Sequence, residues 1–142
     1  SAVPPVPPPP RSAGNPHFVA PALTDGGNPV ADNFYCLPAK DNEYDWKKTN
    51  WYITPITAWS DLGFVFRQPK AEVEMTVEAG KVTLVNKSDV ISYMNILKAK
   101  DAEGNLVTPA YWSDNFFPLL PGETKVVTCR TEAEGYHIEL DN

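Results

Sequence analysis

Four aromatic residues crowd one stretch of the chain, Trp46, Trp51, Tyr52 and Trp59, with Asp and Asn among their neighbours. Flat apolar rings can stack on the face of a sugar while amide and carboxylate groups take its hydroxyls, so this set is a candidate saccharide contact. Rings of this kind also cover seams between domains, and the residue types alone fit either use. A second set, Tyr111, Trp112, Asp114 and Asn115, stands where a strand runs out into a loop. It reads either as a loop that touches a ligand or as a corner. In a corner, Tyr111 or Trp112 fills the core while Asp114 and Asn115 bond backbone amides.

Hydrolytic or nucleophilic chemistry finds no such grouping. Glu72 and Glu74 occupy outward positions of an alternating strand, and Asp25, Asp101, Glu103, Glu132 and Glu134 fall in turns, where solvation and turn hydrogen bonds account for them. Ser113 stands beside Asp114, yet nothing around it resembles a nucleophile elbow, and His17 and His137 lie in separate segments. His137 alternates with Tyr136, Ile138 and Leu140 and is expected to face solvent. Gly26-Gly27 suits a hairpin turn and not a phosphate-cradling loop. We expect no catalytic residue, no metal and no cofactor. Cys36 and Cys129, with two distant histidines, are too few for a closed zinc site. They read either as free thiols behaving as small apolar residues or as one long-range disulfide.

The 142 residues suffice for one domain with an appendage. A net charge of -6 and a pI near 4.8, with scattered Lys and Arg, argue against nucleic acid and anionic membrane surfaces as partners. No apolar run approaches the roughly 18 to 20 residues of a membrane helix. The composition is that of a soluble chain, with secretion or a periplasmic location left open. The chain opens on Ser1 and not Met, as a processed product or an excised piece would.

Composition divides the chain in three. Residues 1–16 are Pro-rich and suit an extended linker, or a ligand for a PxxP-reading groove. Residues 17–70 open with two apolar runs, His17 to Leu23 and Val30 to Leu37, around Thr24-Asp-Gly-Gly-Asn28, the pattern of a β-hairpin. An isolated hairpin is marginal in water, so it belongs to a preceding domain or adds to the sheet that follows. From 38 to 70 the chain reads as an irregular strap whose aromatics, Tyr44, Phe64 and Phe66 among them, are expected to pack.

Residues 71–142 carry period-2 alternation. Val73, Met75 and Val77 fall on one face, and Glu72, Glu74, Thr76 and Glu78 on the other. Turns recur at Ala79-Gly80, 86–89, 101–104, Pro121-Gly122 and 132–135. Strands are expected near 81–86, 91–99, 106–112, 115–119, 124–130 and 136–140. The fold class is all-β, an immunoglobulin-like antiparallel β-sandwich preceded by a hairpin and strap. Asn86-Lys-Ser88 is a glycosylation sequon that also suits a plain turn.

Two blocks carry a family likeness. One is Val30-Ala-Asp-Asn-Phe-Tyr-Cys-Leu37, continued by Asp45-Trp-Lys-Lys-Thr-Asn-Trp-Tyr-Ile-Thr-Pro55 and Trp59-Ser-Asp-Leu62. The other runs from Val82-Thr-Leu-Val-Asn-Lys-Ser88 through Ala110-Tyr-Trp-Ser-Asp-Asn-Phe-Phe-Pro-Leu-Leu-Pro-Gly-Glu123. Together they resemble the C-terminal part of family 2 glycoside hydrolases of the exo-β-glucosaminidase and β-mannosidase kind, with Cys36 standing where that family often has Trp. The resemblance implies that 17–37 closes a fourth, sandwich-like domain, that 38–70 crosses a seam, and that 71–142 is a fifth domain. It implies a retaining mechanism with two glutamates on a β/α barrel of about 250 residues, which this chain cannot contain. The expected partners are therefore that barrel and the adjacent sandwich domain, with an oligosaccharide as a further candidate. The expected role is a noncatalytic accessory module. A stand-alone carbohydrate-binding module is the alternative.

Overall fold

Gly26 and Gly27 take φ of +55° and +86°, the left-handed region that glycine enters without steric cost, and the chain reverses there. The computed structural model describes residues 16–142; the linker expected over 1–16 lies, but for Pro16, outside them. It divides at Arg67/Gln68 into two compact units. In the first, β1 (His17–Val19) pairs antiparallel with β4 (Tyr35–Leu37), and β2 (Ala22–Asp25) with β3 (Asn28–Asp32). The expected hairpin is present, as two ladders of one long ribbon. Its tip is exposed; at its base Phe18 stacks on Phe34 and meets Phe64, with centroids 5.4 and 5.6 Å away.

The stretch expected to be irregular contains a small sheet, β5 (Glu43–Tyr44) against β6 (Ile56–Ala58). Local polar groups hold it. The Asn42 side chain accepts from the Ser60 amide at 2.7 Å, and the Asp45 carboxylate caps the 3-10 turn Trp46–Lys48 by accepting from the Lys47 and Lys48 amides. A second 3-10 turn, Gly63–Arg67, buries Val65.

The second unit is the expected sandwich. Its strands are β7 (Val73–Glu78), β8 (Lys81–Asn86), β9 (Ser92–Lys100), β10 (Tyr111–Trp112), β11 (Phe117–Leu119), β12 (Thr124–Arg130) and β13 (His137–Asp141). One sheet has the order β10-β12-β8-β7 and the other β11-β9-β13, with every pair antiparallel. From β8 onward the chain alternates between sheets. The inward residues therefore meet face to face, Val82, Leu84, Val127 and Cys129 against Leu97, Ala99, Phe117, Leu119 and Ile138. β7 lies at an edge, where Val73 and Met75 are half-buried and Val77 is exposed, and its glutamates keep that edge from pairing with another chain.

Gly80 shows how tightly the β7–β8 turn fits. At φ +78° its carbonyl accepts the Cys129 amide at 2.7 Å, and a Cβ there would lie 2.8 Å from the Cys129 carbonyl oxygen. Both cysteines are free thiols, and burial pushes both thiol pKa values up. The strand expected over 106–112 shrinks to Tyr111–Trp112, with Leu106 making a lone bridge to Lys100, because Pro109 has no amide to give a ladder.

Asn86 is fully buried at the end of β8. Its Nδ2 donates to the Val90 and Leu119 carbonyls at 2.9 and 3.0 Å, and its Oδ1 accepts from the Ser88 amide at 3.0 Å. The sequon asparagine is thus a core hub with no room for a glycan. Replacing Asn86 by Ala leaves two carbonyls and an amide without partners, at about 1 to 3 kcal/mol per buried group. We expect Asn86→Ala to lower unfolding stability by about 3 kcal/mol in urea denaturation, against little change for Lys87→Ala at the surface.

Candidate functional site

The strap rings are built on turns that need no core. Asn50 Oδ1 accepts from the Tyr52 and Ile53 amides, both at 3.2 Å, which sets Trp51 and Tyr52 edge-to-face with centroids 4.8 Å apart. Tyr44 and Trp46 tilt against each other at 5.3 Å. Among the described residues nothing covers these rings: Trp46 is 72% exposed, Trp51 92%, Tyr52 71% and Trp59 77%. Backbone bonds and the Asp45 and Asn50 caps fix this stretch locally. Covering one such ring contributes about 3 kcal/mol, so the set is a strong drive to association.

Trp59 borders a cleft of about 380 Å³ with Lys40, Asp61, Phe64 and Arg67. Asp61 accepts from the Arg67 guanidinium and from the Gly63 amide, and these bonds hold its carboxyl below the usual carboxylate range. The exposed ring of Trp59 and the Lys40 side chain remain open there.

In the second set, β10 pairs Tyr111 with Arg130 and Trp112 with Cys129. Trp112 is half-buried against the core and Tyr111 is 59% exposed. Ser113 continues the ladder: its amide donates to the Thr128 carbonyl, and its Oγ accepts the Thr128 amide, both at 2.9 Å. Asp114 accepts the Asn115 amide at 2.8 Å and pairs with Lys125 at 2.7 Å. Asn115 acts as a strand residue in miniature. Its Oδ1 accepts the Leu97 amide at 2.8 Å, and its Nδ2 donates to the Leu97 carbonyl at 3.0 Å.

Of the two readings open for this set, the geometry is that of the corner. The polar groups of Asp114 and Asn115 are engaged by backbone and Lys125. The residue that the sequence reading missed is Phe116. It sits at φ +60°, rare for a bulky side chain, with its amide bonded to Asn115 Oδ1 at 3.0 Å and its ring 63% exposed. Only the preceding asparagine hinted at this.

His137 faces solvent beside Glu139, as its alternation implies. Lys100, then His137, hold the Glu139 carboxyl below its ordinary value. Among the described residues no three His, Cys, Asp or Glu side chains gather as a metal site.

The exo-beta-D-glucosaminidase Ig-fold domain family matches residues 51–141. The chain belongs to this family. An exo-beta-D-glucosaminidase of Arthroderma benhamiae is 34% identical over 129 residues, which cover 81% of this chain and 15% of that protein. One of Hypocrea jecorina is 32% identical over 109 residues, covering 68% and 12%. Among solved structures, the exo-chitosanase CsxA of Amycolatopsis orientalis superposes with a TM-score of 0.74 at 27% identity, over 89% of this chain and 17% of that one. The chain thus spans about 15% of the length of the first of these relatives. It corresponds to the Ig-fold domain of large enzymes and not to their catalytic domain.

The Asp61–Arg67 pair yields a pH prediction. A carboxyl lowered on folding contributes stability that is present above its unfolded pKa and is lost as pH falls through the folded one. In Arg67→Gln the Asp61 titration should move up toward the ordinary carboxylate value, read by carboxyl-carbon NMR. An unchanged midpoint would show that Arg67 is not its cause.

Proposed function

We propose that this chain is the noncatalytic C-terminal accessory module of a family 2 glycoside hydrolase of exo-β-D-glucosaminidase type. In this reading residues 17–70 end the preceding sandwich domain and cross the seam, and 71–142 form the final domain. The glutamates that hydrolyse β-linked glucosamine saccharides lie on a barrel outside the chain. Trp46, Trp51, Tyr52 and Trp59 dock on that barrel or on the neighbouring sandwich, and the 111–116 corner stands ready to border the sugar pocket.

The observation that carries the reading is the exposure of four large rings, held in place by turns, in a chain whose relatives are several times longer. Water around those rings is the cost that docking removes. The names of the relatives support glucosamine polymers as the class of substrate. The same rings suit a stand-alone carbohydrate-binding module, and one pair of variants separates the two readings.

Within the longer polypeptide, Trp51→Ala and Trp59→Ala should each lower the temperature of half-inactivation by several degrees, as loss of about 1 to 3 kcal/mol implies. In the 142-residue chain they should leave the melting temperature unchanged. If the variants spare the enzyme's thermal stability and instead abolish oligosaccharide binding by the isolated chain, the carbohydrate-module reading replaces this one.

A further inference from the structure

A cleft of about 400 Å³ lies beside the edge strand β10, lined by Pro109, Tyr111, Arg130, Thr131 and Glu132. The β10–β12 register sets Tyr111 opposite Arg130, and the guanidinium carbon lies 5.3 Å from the ring centroid. Thr131 Oγ donates to the Pro109 carbonyl at 2.9 Å and accepts the Ala133 amide at 3.2 Å, which braces the wall and turns the chain at Glu132. Among the described residues neither Arg130 nor Glu132 forms an ion pair. An exposed ring, the guanidinium that lies over it and a carboxylate thus share one braced cleft, and among the described residues neither charge has an ion-pair partner.

We infer that this cleft binds a glucosamine unit of a β-linked saccharide. A ligand that satisfies all three groups needs an apolar C–H face for Tyr111, oxygens to accept from Arg130, and a cation for Glu132. An amino sugar carries these on one ring. Its ammonium makes a charge-assisted bond to Glu132, about twice as strong as a neutral one. A uronic acid would set its own carboxylate against Glu132. Residues 68–142 hold twelve acidic and seven basic side chains, a net charge of -5 that favours a cationic sugar. The inference rests on the proposed function only for the identity of the sugar.

The test is an amide NMR titration of the 142-residue chain with the glucosamine tetramer, at a pH where its amines are protonated, and with the fully N-acetylated tetramer. We expect saturable shifts centred on Tyr111, Arg130 and Glu132. Glu132→Gln should weaken the amino tetramer by about fivefold or more and leave the N-acetylated one unchanged. Tyr111→Ala should weaken both. Because Glu132→Gln is isosteric at a surface turn, its result does not depend on whether Tyr111→Ala folds. No saturable shift, or equal loss for both tetramers in Glu132→Gln, overturns the site and leaves the docking reading to the thermal data. Shifts confined to Trp51 and Trp59 overturn both.

Discussion

The side-chain amide of Asn86 joins the two sheets of the sandwich. It leaves β8 in one sheet, reaches Leu119 of β11 in the other, and holds Val90 in the turn between β8 and β9. Its backbone accepts from Gly122 and donates to Glu123, so the turn before β12 closes on the same residue. Two sheets packed through apolar side chains alone can slide. Sliding here would strand a buried amide and its carbonyl partners in a dry core, at a cost comparable to a sizeable part of a domain's stability. Asn115 uses its side-chain amide in a related way, extending the β11–β9 pairing to Leu97 where the chain crosses from β10. Asn95 does so within the second sheet, bonding Ser92 and Phe117 where the β9–β11 register shifts.

This constraint explains which parts of the fold were legible in the sequence. Alternation along β7 and β8, the Ala79-Gly80 and Pro121-Gly122 turns and the outward His137 are set by neighbours along the chain, and period and turn chemistry reveal them. The asparagine hubs are not. Asn86 reads as a sequon or a turn until Leu119 is brought beside it, thirty-three residues away. Phe116 reads as a strand residue until Asn115 is drawn to Leu97, which shortens the expected strand to Phe117–Leu119. The strap is undecided by the sequence for the opposite reason. Its aromatics read either as a saccharide contact or as cover for a seam, while Asp45, Asn42 and Asn50 fix the backbone locally and leave the rings exposed.

The two units therefore divide the work in physical terms. The sandwich supplies rigidity, with its polar stapling inside and its ion pairs, such as Lys98–Asp141 and Lys100–Glu139, along the outer face of β9 and β13. The strap supplies apolar surface that gains free energy only when something covers it. The chain belongs to a family of Ig-fold domains and covers about 15% of a relative named exo-beta-D-glucosaminidase; under the proposed function, the remainder of such an enzyme is what covers the strap.

Hydrogen–deuterium exchange over residues 44–62 tests this most directly, measured in the 142-residue chain and in a longer polypeptide that carries the catalytic domain. Rapid exchange is expected in the isolated chain and marked protection in the longer one, with no effect of added glucosamine oligosaccharide on the isolated strap. Equal exchange in both proteins, or protection of the isolated strap by the oligosaccharide, would contradict it.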